Sequence, residues 1–284
     1  MKSILVTGGA GFIGSNLIQL LAKYNYNIFS IDDYSAGNYN SELPNVTYIK
    51  MDIKNILDFK EKVDTCFHLA AKTMVQESFN KIDEYFSTNV DGTLKIAKWA
   101  STNKVKLIYA GSASKHSNTQ SSPYALTKFL GEEICRLFNY NYDLNLQIAR
   151  FYNVYGPGEK VDPINANVIG IWRSRIEKRL PLQIVGDGEQ KRDFIHVGDI
   201  ANGLMKIANL SENFDEVWEL GSGTQHSINQ LYKYFQKRFP KIHSEIIDDQ
   251  PGNFKNSFRV NDNMSNKLNW QPKFSLEEYI RNLN

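Results

Sequence analysis

The amino-acid sequence predicts an α/β fold, in which a doubly wound parallel sheet is followed by a smaller mixed α/β lobe. Strand-like and helix-like patterns alternate from residue 2 to about residue 151, and such alternation is typical of parallel strands joined by crossover helices. Beyond Gly156 the connections become longer and more polar. We therefore expect one domain over residues 1–155, to which residues 193–222 return, and a smaller lobe over residues 156–192 and 223–284.

Each element of this fold has a local signal in the sequence. Short apolar runs predict strands at residues 3–7, 27–31, 46–50, 65–69, 105–110 and 144–151. Helical periodicity predicts helices at residues 11–23, 82–102 and 123–140. Pro123 suits the first turn of the last of these, with Ser122 as its cap. The second part is predicted to hold a helix at residues 163–178, a strand at 182–185 and a strand at 217–220 that returns to the main sheet.

The first strand is followed at once by a glycine-rich turn, which predicts a dinucleotide site in a Rossmann fold. Gly8, Gly11 and Gly14 allow a tight turn, the close approach of a pyrophosphate, and close packing of the next helix on the strand. Asp32 stands at the end of the second strand, where a carboxylate hydrogen-bonds the adenosine ribose. That carboxylate would repel a 2′-phosphate and no arginine follows at once, so we expect NAD rather than NADP.

A serine, a tyrosine and a lysine predict proton transfer at an alcohol carbon. Ser112 follows an apolar run, so it is expected at the carboxyl end of a buried strand, where open α/β sheets place their chemistry. Tyr124 and Lys128 are four residues apart on a predicted helix and therefore share a face. A free phenol has a pKa of about 10, which a neighbouring ammonium is expected to lower. With NAD as hydride acceptor, the three residues suit the oxidation of a hydroxyl group.

Composition and charge argue against several other classes of function. The chain has 284 residues and a net charge of +2 with both signs mixed along it, so neither nucleic acid nor a membrane surface is expected as a partner. No apolar run approaches the ~20 residues of a membrane span, and the first strand begins where a signal peptide would stand, so we expect a cytoplasmic protein. Two cysteines, Cys66 and Cys135, are too few for a disulfide framework or a metal site.

A series of short motifs runs through the chain in order. They are Thr7-Gly-Gly-Ala-Gly-Phe-Ile-Gly14, Asp32-Asp33, Asp52-Ile53, His68-Leu-Ala-Ala71, Asn89-Val-Asp-Gly-Thr93, Ser112-Ala-Ser114, Tyr124 with Lys128, Ala149-Arg-Phe-Tyr-Asn-Val-Tyr-Gly-Pro157 and Arg192-Asp-Phe-Ile-His-Val197. Through them the chain resembles the extended short-chain dehydrogenase/reductases, in their nucleotide-sugar epimerase/dehydratase group, over nearly its whole length. Within that group it is most similar to the UDP-glucose 4-epimerases.

The residues after Ser112 favour an epimerase within this family. Related 4,6-dehydratases have an acidic pair at this point, decarboxylating relatives have a Glu, and reducing epimerases have a Cys, whereas this chain has Ala113 and Ser114. The resemblance implies that Tyr124 takes the proton of the sugar 4-hydroxyl while a hydride passes to NAD, and that the 4-keto sugar then turns over and is reduced on its other face. It also implies that Lys128 keeps the phenol acidic and that Ser112 hydrogen-bonds the reacting oxygen.

The resemblance further implies a set of binding residues. For NAD they are Gly8, Gly11, Phe12, Ile13, Gly14, Asp32, Asp33, Asp52, Ile53, Leu69, Ala70, Ala71, Thr73, Asn89, Tyr124, Lys128 and Phe151. For the nucleotide sugar they are Ser112, Ser114, Tyr124, Asn153, Asn167, Val168, Leu182, Gln183, Ile184, Arg192, Gln250 and Asn253. Relatives commonly form homodimers through two helices, which correspond to residues 82–102 and 123–140 here.

Three departures from the family pattern affect the substrate. Lys115-His116-Ser117 stands where the family usually has a Tyr-Gly pair. The segment between Ser112 and Tyr124 is short, so we expect a more open sugar pocket. The family's Arg-Pro-Gly-Asp, which grips the nucleoside, is Gln250-Pro-Gly-Asn253 here. A UDP-sugar is favoured as substrate, with other nucleosides left open.

Two other functions remain open at this point. One is a nucleotide-sugar reductase, dehydrogenase or C3/C5 epimerase of the same family; a reductase or dehydrogenase would show net redox change. The other is a non-catalytic module that binds NAD or a nucleotide sugar, which would have no use for all three of the Ser, Tyr and Lys side chains.

Overall fold

A computed structural model describes residues 2–36, 43–162, 166–211 and 216–284. Its strands are β1 (Ser3–Thr7), β2 (Asn27–Asp32), β3 (Val46–Lys50), β4 (Thr65–His68), β5 (Lys106–Ser112), β6 (Leu146–Phe151), β7 (Asn153–Tyr155), β8 (Leu182–Val185), β9 (Lys191–His196), β10 (Trp218–Leu220), β11 (Gln225–Ser227) and β12 (Ser244–Ile247). Its helices are α1 (Phe12–Leu21), α2 (Val75–Asn80), α3 (Ile82–Phe86), α4 (Thr93–Thr102), α5 (Pro123–Asn141), α6 (Val168–Glu177), α7 (Val197–Ala208), α8 (Ile228–Arg238), α9 (Asn263–Leu268) and α10 (Leu276–Arg281).

The described residues form a seven-stranded parallel sheet in the order β10-β6-β5-β4-β1-β2-β3. The order reverses beside β1, because the chain first adds β2 and β3 on one side and later adds β4, β5 and β6 on the other. Ligands of such sheets bind at the carboxyl ends of the strands near this reversal. The fold class predicted from the sequence is confirmed, and the strand predicted at residues 217–220 joins this sheet as β10.

Alternating side chains of the buried strands pack against helices on both faces of the sheet. In β1, Val6 belongs to a core shared with Leu17 of α1, whereas its neighbour Leu5 belongs to a second core shared with Ile96 of α4. Burying each such side chain stabilises the fold by about 1.5–3 kcal/mol. The period of two along the strand therefore fixes which layer each helix joins.

The second half of the chain builds two smaller sheets beside the carboxyl ends of the main strands. β9 pairs in parallel with β7 and antiparallel with β11, and β12 pairs in parallel with β8. A third apolar core, which includes Trp172, Phe235 and Ile280, holds α6, α8 and α10 together. The division of the chain into two domains stays a prediction.

Some elements differ from the sequence predictions. The helix predicted at residues 82–102 consists of α3, a π-helical stretch at Ser87–Gly92, and α4. The wider turn carries Asn89, whose amide contacts the backbone of Lys72. The helix predicted at residues 163–178 begins at Val168, because Asn167 has extended backbone angles; residues 163–165 lie outside the described residues. The short helix α2 had no counterpart among the predicted elements.

Candidate active site

A single cavity of about 640 Å³ runs along the carboxyl ends of the main strands into the second half of the chain. The predicted residues that line it at the cofactor end are Gly8, Gly11, Phe12, Ile13, Gly14, Asp32, Asp33, Asp52, Ile53, Leu69, Ala70, Ala71, Thr73 and Phe151. The predicted residues that line it in the middle and at the far end are Ser112, Ser114, Tyr124, Lys128, Asn153, Asn167, Val168, Gln183, Arg192, Gln250 and Asn253. The structure therefore brings these motifs to one site.

Three predicted residues do not line this cavity. Leu182 and Ile184 are buried in the third apolar core. Asn89 is buried below the site, where its amide donates to Lys72 O at 3.0 Å and to Thr127 Oγ1 at 3.0 Å, and accepts from Lys72 N at 2.8 Å. Asn89 therefore supports the loop after β4, from beneath rather than from inside the cavity.

The glycine-rich turn between β1 and α1 forms a cradle that no side chain could occupy. Gly8 has a φ of +71°, and a Cβ there would lie 2.7 Å from the backbone nitrogen of Ala70. A Cβ on Gly14 would collide with the carbonyl oxygen of Gly8. Gly11 is the N-cap of α1 and gives its helix no side-chain cap. The first amides of α1 thus remain available to a phosphate at the positive end of the helix, and the cradle fits the pyrophosphate of NAD.

Asp32 is held in place by the turn that it faces. Its carboxylate accepts hydrogen bonds from Ala10 N at 2.9 Å and from Tyr34 N at 2.8 Å. Burial raises the pKa of Asp32, while these two backbone donors act in the opposite direction. The carboxylate lines the same cavity as the glycine cradle, at the place where the adenosine ribose of NAD fits.

The hydroxyl groups of Ser112, Ser114 and Tyr124 meet at the end of β5. Ser112 Oγ accepts from the Ser114 hydroxyl at 2.9 Å and from the Tyr124 phenol at 3.2 Å, and the Ser114 backbone amide lies 3.2 Å away. Since its lone pairs accept from these groups, the one proton of Ser112 is left to donate. This serine and this tyrosine are therefore in direct contact at one point of the cavity.

Lys128 lies under this group, one helical turn after Tyr124. Its ammonium lies 4.6 Å from the ring centroid of Tyr109, and burial lowers its pKa to about 8. Burial also raises the pKa of Tyr124, and the hydrogen bond with Ser112 offsets this only in part. In the protein without its cofactor, burial therefore acts on the pKa of Tyr124 against the expected effect of Lys128. The expectation that Lys128 keeps the phenol acidic together with the positive charge of the nicotinamide stays a prediction.

The far end of the cavity is lined by a buried arginine. Arg192 Nη2 donates to Asn253 Oδ1 at 2.6 Å, and its guanidinium lies 4.2 Å from the ring centroid of Phe254. Among the described residues, no carboxylate lies within ion-pair distance of Arg192, and burial lowers its pKa to about 10. A buried cation whose hydrogen-bond partners, Lys191 O and Asn253 Oδ1, are both neutral favours an anionic ligand such as a diphosphate.

The short segment before Tyr124 is contacted by a turn from the last part of the chain. The turn around Gly252, which has a φ of +76°, lies against it: a Cβ on Gly252 would be 2.9 Å from Val75 Cγ1 and 3.4 Å from Ser121 O. Gln76 Nε2 donates to Pro251 O at 2.9 Å across the same contact. This turn therefore lies beside the shortened segment, and the expectation of a more open pocket stays a prediction.

Several cavity residues were missed by sequence reasoning. They include Lys72, Val75, Gln76, Tyr152, Glu159 and Phe254. Lys72 follows directly on the motif that ends at Ala71, and Phe254 follows directly on Asn253, so adjacency to a predicted residue was the available signal. Tyr152 likewise stands between the predicted residues Phe151 and Asn153. Val75 and Gln76 belong to α2, which was not predicted, and Glu159 follows the motif that ends at Pro157.

Searches for two other kinds of site found none within the described residues. No group of three or more His, Cys, Asp or Glu side chains there is arranged to hold a metal ion. None of the described helices combines the length and apolar character needed to cross a bilayer.

Comparison with known proteins agrees with this geometry. A family model described as the NAD dependent epimerase/dehydratase family matches residues 4–221. An epimerase from Methanothermobacter thermautotrophicus has a similar structure, with a TM-score of 0.92 and 30% identity, over 98% of this chain and 90% of that one. UDP-glucose 4-epimerase from Thermotoga maritima with UDP-glucose, and UDP-glucuronic acid 4-epimerase from Bacillus cereus with UDP-glucuronic acid and NAD, each have a TM-score of 0.89 and 27% identity, over 98% of this chain and 96% of theirs.

These likenesses extend over nearly the whole chain, and they confirm the cofactor and the class of reaction predicted from the sequence. The glycine cradle, the strand-end hydroxyl groups and the buried arginine occupy one continuous cavity, as binding of a dinucleotide beside a nucleotide sugar requires. The chain therefore belongs to the NAD-dependent epimerase/dehydratase family, and it is an NAD-dependent nucleotide-sugar epimerase.

Proposed function

We propose that the protein interconverts the C4 epimers of a UDP-hexose through a transient 4-keto sugar. The observation that carries this proposal is that Ser112, Tyr124 and Lys128 line the same cavity as the glycine cradle and Arg192, with the Tyr124 phenol donating to Ser112. A hydroxyl group of a sugar whose diphosphate is held at Arg192 would meet these three side chains. When bound, oxidised NAD supplies the hydride acceptor and a positive charge beside the phenol.

The protein's own residues move the proton and hold the reacting oxygen. Tyr124 takes the proton of the sugar 4-hydroxyl and later returns one, as general base and then general acid. Ser112 donates its free proton to the reacting oxygen, while the Ser114 hydroxyl fixes the orientation of Ser112. The ammonium of Lys128 lies one turn below and favours the phenolate electrostatically.

The nucleotide end is proposed to bind through Arg192 and its neighbours. A diphosphate would offer the guanidinium two acceptor oxygens in place of the single amide oxygen of Asn253. Asn167 and Val168 lie at the start of α6, and Gln183 lines the same end of the cavity. The structural relatives that contain UDP-sugars favour uridine as the nucleoside.

The residues at the end of β5 disfavour a dehydration. Ala113 and Ser114 follow Ser112 without the carboxylate that a dehydration would use. A reductase, a dehydrogenase or a non-catalytic binding module remains an outcome of the test below. A reductase or dehydrogenase would change the amount of reduced nicotinamide, and a binding module would convert no sugar.

The test is incubation of the purified protein with UDP-, dTDP-, GDP- and CDP-hexoses, with product stereochemistry read by nuclear magnetic resonance. We expect C4 epimers of a UDP-sugar without net formation of reduced nicotinamide. Tyr124→Phe should bind NAD normally and lose about 10²- to 10⁴-fold in kcat, since the proton carrier is removed. Stoichiometric NADH, or near-normal turnover by Tyr124→Phe, would contradict the proposal.

We also propose that two copies of the chain associate through α4 and α5. Leu94 on α4 is 40% exposed, and Leu137 on α5 is 52% exposed, so these neighbouring helices carry apolar side chains on their outer faces. Sedimentation of the purified protein, compared with Leu137→Glu, checks this association. The cytoplasmic location stays a prediction.

A further inference from the structure

A short 3₁₀ turn, Ala113–His116, follows Ser112 directly and is anchored at its far end. Ser112 and Ser114 lie at its beginning, and Lys115 and His116 lie at its end. The last two residues replace the Tyr-Gly pair that is usual in the family. Both contact buried acids, and those acids come from other elements of the fold.

His116 contacts the buried Glu219 of β10. His116 Nε2 lies 2.9 Å from Glu219 Oε1, and the Tyr152 phenol donates to Glu219 Oε2 at 2.8 Å. Glu219 is 1% exposed. Since a carboxylate oxygen only accepts hydrogen bonds, the proton on Nε2 is present whether the imidazole is neutral or charged. His116 therefore donates to Glu219 in either state.

Lys115 contacts the buried Glu132 of α5, and Arg150 of β6 connects the two acids. Lys115 Nζ lies 3.1 Å from Glu132 Oε1. Arg150 donates to Glu132 from Nε at 3.0 Å and from Nη2 at 2.5 Å, and to Glu219 from Nη1 at 3.2 Å. One buried guanidinium thus faces two buried carboxylates, and an uncompensated buried charge is costly. From the turn, Lys115 adds a donor to Glu132 beside Arg136, and His116 adds a donor to Glu219 beside Tyr152.

We propose that Glu132 and Glu219, through Lys115 and His116, are positioning residues that hold the turn so that the hydroxyls of Ser112 and Ser114 face Tyr124. This inference rests on the proposed function, because it concerns how the reacting oxygen is held. The network acts through the turn and touches no substrate. It takes the place of the longer loop that the short segment before Tyr124 lacks.

The test compares three variants of the full-length protein. His116→Phe keeps a ring beside Tyr152 but removes the donor, and His116→Gln keeps an N–H donor without the ring. Arg136→Ala is the matched control, because Arg136 contacts Glu132 at 3.2 Å from α5 itself and not from the turn. We expect His116→Phe to lower kcat about 10- to 100-fold with KM within about twofold, since misplacing a reacting group by about 1 Å has that effect. His116→Gln should recover most of kcat, and Arg136→Ala should leave kcat unchanged.

The Ser117 N–H donates to Ser114 O at 3.1 Å. Its amide hydrogen exchange therefore measures the stability of the turn, and no substrate is needed. It should become faster in His116→Phe and not in Arg136→Ala. Unchanged exchange, or equal loss of kcat in His116→Phe and Arg136→Ala, would overturn the inference while leaving the proposed function intact. Absence of epimerisation by the wild-type protein would overturn the proposed function, and exchange at Ser117 would still decide whether His116 holds the turn.

Discussion

Burial of the Lys128 ammonium should lower the free energy of unfolding at neutral pH. This loss of stability should disappear as the pH rises. Burial lowers the pKa of Lys128 from 10.5 to about 8. Below pH 8 the ammonium is charged in both the folded and the unfolded chain, so the folded state carries the full cost of burying it. Between pH 8 and about 10.5 the folded protein releases the proton first, and its stability rises with pH.

The size of the effect follows from the two pKa values. Their difference corresponds to about 3 kcal/mol at pH 7, at about 1.4 kcal/mol per pH unit. About 2 kcal/mol of this should be recovered by pH 9.5, where the unfolded chain still holds the proton. Lys128→Met, compared with wild type, should therefore gain about 2 kcal/mol more in unfolding free energy at pH 7 than at pH 9.5.

Urea denaturation at the two pH values, followed by circular dichroism, measures this difference. Lys98→Met, on the exposed face of α4, gives the background change from removing one lysine. If Lys128→Met and wild type differ by the same amount at both pH values, the ammonium is not desolvated in the folded protein. The reasoning about Lys128 would then be refuted.

Two further predictions concern the ends of the cavity. Gly252→Ala should raise KM for the sugar nucleotide by about tenfold and affect kcat less, as measured by steady-state kinetics. A non-glycine residue at a positive φ costs about 1–2 kcal/mol, and the added Cβ would push the turn away from Val75. Asp32→Asn should narrow the preference for NAD over NADP by about tenfold or more, because it removes the charge that repels a 2′-phosphate; fluorescence titration with both cofactors measures this.

Each of these predictions has a clear opposing result. Gly186 has a φ of +61° and open space around a built Cβ, so Gly186→Ala separates the backbone cost from the loss of the Val75 contact. An equal rise in KM for Gly186→Ala and Gly252→Ala would contradict a wall formed at Val75. An unchanged cofactor ratio for Asp32→Asn would show that selectivity lies elsewhere.

The sequence could predict those parts of the site whose geometry is determined by residues close together in the chain. Gly8, Gly11 and Gly14 form the cradle within one turn, and Tyr124 and Lys128 lie one helical turn apart, so local spacing determines their geometry. The strands of the sheet could be predicted for the same reason, since each strand is indicated by its own apolar run. Leu182 and Ile184 were assigned to the substrate by motif position, but alternation along β8 directs them into the core.

The rest depends on contacts between distant residues. Nothing near Gly252 in the sequence indicates that it packs on Val75 and Ser121, so this contact could not be foreseen. The pKa of Tyr124 depends on its degree of burial, which the motif does not encode. The sequence motifs thus predicted which residues line the site, whereas their interactions depend on tertiary packing.

The position of β10 also has a consequence for how the protein is made. Residues 3–151 contain β1 to β6 and the glycine cradle, and they emerge from a ribosome first. Glu219 is separated from His116 by 103 residues and from Arg150 by 69. A nascent chain would therefore contain every residue of its dinucleotide cradle well before the acid that contacts His116 has been synthesised. Synthesis interrupted ahead of residue 219 would leave a fragment that retains the cradle but lacks the support for Ser112.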